Sequence, residues 1–335
     1  MPEYPTLDAV LCGMRVVSIP MAVRFRGVDQ REAVLVRGPA GWGEFSPFLE
    51  YGVQESSRWL AAALEAAWWG WPDPVRSEVA VNATVPAVPA THVPEVLARF
   101  DGATTAKVKV AEAGQRLQDD LDRVAAVREV LGPQGRIRVD ANGGWSVDQA
   151  SDALARLAAY DLEYAEQPCA QVAELREVRL ALARRGIPVL VAADESIRKA
   201  DDPLRVAREH AADLVVVKVA PLGGVRRALE VVADCGLPAV VSSALDTSVG
   251  MAAGVALAAA IPELPYACGL GTVALLAGDV SRTPRVPIGG VLRLGPAQAD
   301  EELLERWCAP PDRQHWWRDR VTACHDVLSG NTVDP

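Results

Sequence analysis

Two lysines lie one residue apart in a run of small and β-branched residues at 106–110. Successive side chains of a β-strand point to opposite faces, so Lys107 and Lys109 point to the same face. Two neighbouring ammonium groups repel each other, and burying them adds a further cost. A fold keeps such a pair only where negative charge compensates it, so the pair predicts a charged pocket beside this strand.

Three later strand-like runs each end in a carboxylate, at Asp140, Glu166 and Asp194. Other polar residues follow the strand ends: Asn142, Glu195, Lys218, Ser242 and Ser243. Three carboxylates without a histidine among them suit a hard divalent cation. Mg²⁺ fits best, and Mn²⁺ accepts the same ligands. The four histidines all lie away from the strand ends, which argues against zinc.

This combination suits the removal of a proton from the carbon next to a carboxylate. Such a carbon acid is very weak, and its conjugate base is an enolate whose extra charge a divalent cation can neutralise. The base must be neutral near pH 7, and a second ammonium beside it favours the neutral amine. We therefore predict that Lys109 is the base, that Lys107 is its charged neighbour, and that Lys218 approaches from the opposite side.

Each of these groups alone would carry little weight. An aspartate after a strand is more often a turn or helix cap than a metal ligand. A lysine at a strand end usually extends to solvent. The joint pattern, with acids on three successive strands and lysines on the second and sixth, favours a site over separate structural roles.

Composition narrows the class of protein. Half of the 335 residues are hydrophobic, and 44 acidic against 34 basic residues give a net charge of −10. This balance disfavours nucleic acid or an anionic membrane as the main partner, but it permits a small anionic carboxylate substrate at a local positive site. Oligomeric state leaves no signature in the sequence.

The sequence also predicts a cytoplasmic protein. It begins without the basic and apolar regions of a signal peptide. Its six cysteines contain no CxxC pair, which favours reduced thiols over disulfides. The longest apolar run, 249–261, is shorter than the ~20 residues of a membrane span, so we expect a buried helix there.

From residue 79 the chain alternates strand-like and amphipathic helical segments. The eight strand-like runs are 79–85, 106–110, 137–140, 162–166, 189–194, 213–219, 239–242 and 266–269; helices are expected at 118–131, 147–159, 172–185 and 225–235, with Ser146 as a cap. Apolar strands without alternation indicate a parallel sheet buried on both faces. The predicted fold class is therefore α/β, a (β/α)₈ TIM-type barrel, whose active sites lie at the C-terminal strand ends.

Three regions follow from this pattern. Residues 1–75 are predicted to form an α+β capping domain, with strands at 10–19 and 32–36 and a helix at 55–69. Residues 76–285 form the barrel, and 286–335 return to the capping domain. Residues 24–27 are either a lid loop that meets an anionic substrate or an exposed hairpin tip.

The motifs together resemble the enolase superfamily, in its muconate-lactonizing subgroup. The motifs are the Lys-x-Lys strand, Val-Asp-Ala-Asn (139–142), Glu-Gln-Pro (166–168), Asp-Glu-Ser (194–196) and Val-Lys-Val (217–219), and the resemblance covers nearly the whole chain. It implies that Asp140, Glu166 and Asp194 are metal ligands. It also implies that Lys109 is the acid/base and that Lys218 lies on the opposite face.

Within the subgroup the chain is most similar to the dehydratases of menaquinone biosynthesis, on its compact length and its residues 41–47, 242–250 and 269–272. The likeness implies syn loss of water from 2-succinyl-6-hydroxy-2,4-cyclohexadiene-1-carboxylate. Lys109 would remove the proton α to the carboxylate and then protonate the departing hydroxyl, while Lys218 stabilises the enolate. Substrate binding is expected at Asn142 and at backbone N–H groups around Ser243, Gly269 and Gly271.

Two other hypotheses about function stay open. An N-succinylamino acid racemase or a dipeptide epimerase would use the same scaffold, because Lys109 and Lys218 on opposite faces are what a two-base epimerase needs. The uncharged residues 268–272 weigh against a dipeptide epimerase, and muconate cycloisomerases are usually longer. A non-catalytic barrel predicts an incomplete constellation, whereas this one is complete. No GxGxxG or P-loop supports nucleotide binding.

Overall fold

The computed structural model describes residues 3–25, 27–199 and 202–330. Its strands are β1 (Met14–Phe25), β2 (Val28–Gly38), β3 (Gly41–Phe45), β4 (Glu78–Ala80), β5 (Ala83–Val85), β6 (Thr105–Lys109), β7 (Arg136–Asp140), β8 (Leu162–Glu166), β9 (Leu190–Ala193), β10 (Leu214–Val217), β11 (Ala239–Val241) and β12 (Val291–Arg293). Its helices are α1 (Leu7–Cys12), α2 (Val53–Leu64), α3 (Val93–Leu97), α4 (Leu117–Leu131), α5 (Val147–Leu157), α6 (Val172–Arg184), α7 (Glu195–Arg198), α8 (Arg205–Arg208), α9 (Val219–Leu222), α10 (Val225–Cys235), α11 (Ser248–Ala260), α12 (Glu301–Arg306) and α13 (Pro311–Leu328).

The larger part of the molecule is a parallel barrel. Strands β5 to β11 form one sheet in chain order. Residues 266–269 bridge its two edges, with Gly269 paired to Ser242 and Cys268 paired to Val81. The N–H groups of Cys268 and Gly269 donate to carbonyls of β4 and β11 at 2.7 and 2.8 Å. The predicted α/β barrel of the TIM type is therefore confirmed.

Two of the eight predicted strands differ in detail. The run at 79–85 is divided, because β4 pairs antiparallel with β12 and only β5 joins the barrel. At the break, Val81 donates its N–H to Gly290 rather than to a barrel strand. The run at 266–269 makes isolated bridges instead of a regular strand, since Pro265 before it has no N–H and glycines at 269 and 271 favour irregular backbone.

The N-terminal unit is an antiparallel sheet, β1–β2–β3, covered by helices. Residues 10–12, predicted as the start of a strand, belong instead to α1, whose first turn is capped by the hydroxyl of Thr6 at 3.4 Å from the N–H of Ala9. The C-terminal helix α13 packs on α2. Its Trp317 is fully buried and donates Nε1–H to Glu32 of β2 at 2.8 Å.

The predicted helix at 55–69 is in fact α2 followed by a π-helical turn at Glu65–Trp69. The turn presents the Glu65 carboxylate to the start of α10, where the N–H groups of Val225 and Arg226 donate to it. A carboxylate at a helix N-terminus is favoured electrostatically, and this contact joins the N-terminal unit to the barrel.

The other helices follow the sequence pattern closely. Helix α10 has the predicted bounds, and Ser146 caps α5 by accepting the N–H of Gln149 at 3.3 Å. The apolar run at 249–261 is the buried helix α11. Within the described residues, no helix combines the length and apolarity that crossing a bilayer requires.

The first prediction concerns the contact between β3 and α2. A Cβ added at Gly43 would lie 2.0 Å from the carbonyl oxygen of Ala63, which is backbone and cannot move freely. We expect Gly43→Ala to lower the free energy of unfolding by about 2 kcal/mol. The control is Gly52→Ala, where a Cβ meets nothing within 4 Å; it should cost under about 1 kcal/mol. Equal denaturant midpoints for the two variants would contradict the prediction.

Candidate active site

The predicted carboxylates meet at one rim of the barrel. Asp140 ends β7, Glu166 ends β8, and Asp194 follows β9. Asp140 is in register with Lys109 on one side and Glu166 on the other, so parallel pairing alone brings these strand ends together. The three carboxylates are at most 2% exposed.

The two lysines of β6 are buried against these acids. Lys107 Nζ donates to both oxygens of Glu166 at 2.8 and 3.0 Å and lies 3.3 Å from Asp140 Oδ2. Lys109 Nζ lies 2.5 Å from the same Asp140 oxygen. Burying the two ammonium groups is possible because Asp140 is shared between them.

The sixth strand supplies the third lysine. Lys218 Nζ lies 2.5 Å from Asp194 Oδ1, and the guanidinium of Arg198 donates to the same oxygen at 3.1 Å. Lys218 follows β10 and Lys109 ends β6, so they stand four strands apart around the barrel, as predicted.

Burial and charge act on the ionisation of this cluster in opposite directions. Burial raises the pKa of Glu166, and the charge of Asp140 raises it further, to about 7. For Lys107 burial works toward a lower pKa, but Glu166 and Asp140 outweigh it and raise the pKa. For Lys218 burial prevails over the attraction of Asp194 and lowers the pKa. Lys107 is thus the more firmly charged of the two.

Asp140 and Asp194 behave differently from Glu166. Burial opposes their ionisation, yet the ammonium groups of Lys109 and Lys107 hold the pKa of Asp140 well below its usual range. Lys218 and Arg198 do the same for Asp194.

Asn142 holds Lys109 in place. Its Oδ1 accepts from Lys109 Nζ at 2.6 Å, and its Nδ2 donates to Glu195 at 3.1 Å. Its backbone is left-handed (φ 46°), a conformation that asparagine tolerates, and its N–H donates to Asp140 at 3.0 Å. Asn142 was predicted to bind substrate; the structure places it at the cavity wall, bonded to Lys109.

A small cavity of about 30 Å³ lies above the cluster. Its lining includes the three lysines, Asp140, Asp194, Asn142, Thr84, Ser242, Ser243, Ala244, Leu245, Gly269 and Thr272 from the barrel, and Phe25 and Phe48 from the N-terminal unit. Lys109 Nζ is 5.3 Å from the centre of the Phe25 ring. The loops at 24–27 and 46–52 therefore each contribute one aromatic wall. Arg26 lies outside the described residues.

Ser243, Gly269 and Gly271, which were expected to form a backbone anion site, lie at or beside the segment that closes the barrel. The N–H of Ser243 donates to Gly269 at 3.0 Å, and the N–H of Gly269 donates to β11, so both are used in closing the barrel. Gly271 does not line the cavity, and a Cβ added there would lie 2.9 Å from the ring of Phe100. The hydroxyl groups of Ser243 and Thr272, 2.7 Å apart, offer a polar surface instead.

Two supporting residues, Gln167 and Arg198, were missed from the sequence. Gln167 has a left-handed backbone (φ 39°), and its Oε1 accepts the N–H of Asp194 at 2.9 Å. Arg198 binds Asp194, Glu195 and, at 2.8 Å, the hydroxyl of Tyr51. The spacing of four residues between Asp194 and Arg198 on one helical turn was the available signal for this contact.

The donor set has the chemistry of a site for a hard cation. In the side-chain positions seen here, no three acidic, His or Cys residues of the described chain converge to hold a metal ion. Each of the three carboxylates is instead directed at a lysine. Glu195 Oε2 nearby is buried without a hydrogen-bond partner.

Comparisons with known proteins agree on the superfamily. “Enolase N-terminal domain-like” matches residues 16–67, and “Enolase C-terminal domain-like” matches residues 93–298. The o-succinylbenzoate synthase of Mycolicibacterium smegmatis is 57% identical over 97% of this chain and 98% of that protein. The o-succinylbenzoate synthase of Mycobacterium leprae is 55% identical over 97% of this chain and 95% of that protein.

Solved structures share the fold at lower identity. A muconate lactonizing enzyme from Pseudomonas fluorescens, complexed with muconolactone, has a TM-score of 0.76 and 21% identity, covering 88% of this chain and 98% of that one. The L-Ala-D/L-Glu epimerase from Bacillus subtilis has a TM-score of 0.72 and 20% identity, covering 85% and 96%. These similarities show the architecture alone.

The rim of the site is fixed by a buried carboxylate of β3. Glu44 accepts from the N–H and hydroxyl of Thr247, at 3.1 and 2.5 Å, and from the N–H of Gly250 at 2.9 Å, which caps α11. Burial, and then the charge of Asp246, raise the pKa of Glu44 to about 7.

The second prediction follows from this pKa. Unfolded glutamate titrates near pH ~4.3, so between about pH 4.5 and 7 the folded protein keeps a proton that the unfolded chain has released. Stability from this group is therefore lost as pH rises through that window. We expect Glu44→Gln to flatten the fall in the free energy of unfolding between pH 5 and 7.5, measured by denaturant titration. An identical slope in both proteins would refute this role.

Proposed function

The chain belongs to the o-succinylbenzoate synthase family of the enolase superfamily, and we propose that its buried lysine–carboxylate cluster performs that family's dehydration. The enzyme is a carbon–oxygen lyase of menaquinone biosynthesis. Its substrate, 2-succinyl-6-hydroxy-2,4-cyclohexadiene-1-carboxylate, loses water to give o-succinylbenzoate. The observation that carries the proposed roles is that three lysines line one cavity together with Asp140 and Asp194, while Glu166 is buried against Lys107.

Members of the superfamily bind a divalent metal. We assign it in this chain to Asp140, Glu166 and Asp194, as Mg²⁺ or Mn²⁺, because carboxylate oxygens at adjacent strand ends are the ligands such cations prefer. Asp140 and Glu166 end neighbouring strands in register and Asp194 follows the next strand, so the three candidate ligands lie at one rim of the barrel. When bound, the metal neutralises charge on the substrate carboxylate as the enolate forms.

Lys109 acts as the base. Its Nζ lines the cavity, is oriented by Asn142, and faces the ring of Phe25. As the neutral amine it takes the proton from the carbon next to the carboxylate, which leaves an enolate. It then returns that proton to the hydroxyl on the neighbouring carbon. The C–O bond breaks, water leaves, and the ring becomes aromatic. One base on one face accounts for a syn elimination.

Lys218 and Lys107 have electrostatic roles. Lys218 faces the cavity four strands from Lys109, so its ammonium can stabilise the enolate from the other face of the ring. Lys107 remains charged beside Glu166 and Asp140, whose charges raise its pKa, and it keeps a positive charge on the same face of β6 as Lys109. The apolar walls formed by Phe25 and Phe48 exclude water from the reacting ring.

The surroundings fit a small anionic substrate. All six cysteines are free, and we place the reaction in the cytoplasm with neither nucleic acid nor membrane as a partner. The succinyl carboxylate is best placed near the hydroxyl groups of Ser243 and Thr272.

A second activity is compatible with the same residues. Lys109 and Lys218 on opposite sides of the cavity are the pair that a racemase or epimerase uses, one to remove and one to return a proton. N-succinylamino acids are the preferred test substrates, because residues 268–272 carry no acidic group to bind the amino group of a dipeptide.

The third prediction tests the function itself. Purified protein with Mg²⁺ should convert the cyclohexadiene carboxylate to o-succinylbenzoate, followed by ultraviolet absorbance, and a chelator should abolish the reaction reversibly. Absence of conversion by metal-loaded, folded protein would overturn the dehydratase assignment. Racemisation of N-succinylamino acids, followed by polarimetry or deuterium incorporation, would then identify the alternative.

The fourth prediction tests the base. Lys109→Ala should lower kcat by about 10³-fold or more, because no other amine replaces the proton acceptor. Lys109→Arg is the matched control, since it keeps the positive charge beside Asp140 but cannot be deprotonated near neutral pH; it should be equally inactive. Circular dichroism and Mg²⁺ titration should show a folded protein that still binds metal. Substantial turnover by either variant would remove Lys109 from this role.

A further inference from the structure

The loop at 46–52 is held from outside by an arginine of the C-terminal helix. Arg320 of α13 donates to the carbonyl groups of Phe48, Leu49 and Tyr51 at 3.2, 3.4 and 2.5 Å. It also donates to the hydroxyl of Ser56 at 2.8 Å, one turn into α2. Four contacts from one guanidinium thus span the end of the loop and the start of the helix that follows it.

The guanidinium is itself fixed by aromatic rings. Its carbon lies 4.8 Å from the ring centre of Trp316 and 5.7 Å from that of Trp317. Trp317 is fully buried against β2 and β3, so Arg320 is anchored to the rigid part of the N-terminal unit. The planar fork of arginine suits several carbonyl acceptors and one stacking surface at once.

The inner side of the same loop reaches the active site at two points. Phe48 is a wall of the cavity above the lysines. The hydroxyl of Tyr51 accepts from Arg198 at 2.8 Å, and Arg198 donates to Asp194 and Glu195. The loop residues 48–51 are therefore held by Arg320 on one side and by Arg198 on the other. The outermost residues of this loop, Leu49 and Glu50, are exposed.

We propose that Arg320 is a positioning residue of the active site: it fixes the 48–51 backbone so that Phe48 covers the cavity and Tyr51 meets Arg198. Arg320 lies 272 residues from Phe48 in sequence and outside both matched superfamily segments, 16–67 and 93–298. The C-terminal helix thereby contributes to substrate binding without contacting the substrate.

The effect on turnover rests on the proposed dehydratase function. Arg320→Gln should raise KM about tenfold and leave kcat within about twofold, because a loosened Phe48 weakens binding of substrate and transition state alike. Hydrogen exchange of residues 46–52 should accelerate in the same variant. The exchange measurement needs no substrate. It therefore tests the contacts of Arg320 with the 48–51 backbone even if the wild-type protein does not turn over the dehydratase substrate.

Arg313 provides a matched control on the same helix. It also stacks on Trp316, at 4.5 Å, but its guanidinium binds Glu32 of β2 and makes no contact with the loop. Arg313→Gln should reduce stability to a similar extent while leaving KM and the exchange of 46–52 unchanged. Equal KM and exchange in the two glutamine variants would overturn the proposal, since it would make Arg320 a merely structural residue.

A conservative variant keeps the test decisive if Arg320→Gln does not fold. Arg320→Lys retains the charge and one or two of the carbonyl contacts, so its KM and its loop exchange should lie between those of the wild type and the glutamine variant. Wild-type KM and exchange in the folded lysine variant would overturn the proposal as well.

Discussion

The mutual compensation of three buried lysines and three buried carboxylates is the constraint on which the rest of the structure depends. No member of the cluster is more than 8% exposed, and each lysine lies within 3.0 Å of a carboxylate oxygen. Breaking a buried pair by removing one partner typically costs about 3–5 kcal/mol, because the remaining charge is left uncompensated. Each charge of the cluster is therefore tolerated only in the presence of its partners.

The barrel positions this cluster, and the N-terminal unit covers it. The parallel register places Lys109, Asp140 and Glu166 side by side at the same level along the barrel axis. This placement follows from backbone pairing alone. Phe25 and Phe48 of the N-terminal unit shield the lysines and carboxylates from water. Arg31 of β2 links the two by donating to the carbonyl groups of Ala244 and Leu245 at 3.1 and 3.0 Å. Charges inside the cavity consequently act in a low dielectric, where they are worth more than in water.

Much of the barrel and of the charged cluster could be predicted from the sequence, because both depend on local sequence pattern. Strand β8 and helix α10 have their predicted bounds, and the strand-end acids meet because parallel strands place their C-terminal ends at one edge. One compositional signal was overlooked: the chain has only four lysines among its 34 lysines and arginines, and three of the four lie in this site. Arginine does not release its proton in proteins, so a position that needs a neutral amine must keep lysine. The fourth, Lys199, lies over the ring of Tyr51.

The features that could not be predicted from the sequence are those that depend on contacts between residues far apart in the chain. Residues 10–12 were predicted as the start of a strand, but the hydroxyl of Thr6 and burial of Val10 favour a helix there. The N–H groups of Ser243 and Gly269 looked available in sequence and are consumed by closure of the barrel, a pairing across 26 residues. Contacts such as Arg31 with Leu245 and Arg320 with Phe48 join residues more than 200 positions apart, and neither member carries a local signal of its partner. The lysines and carboxylates at the strand ends are thus specified by short-range pattern, whereas their enclosure is specified by tertiary contacts.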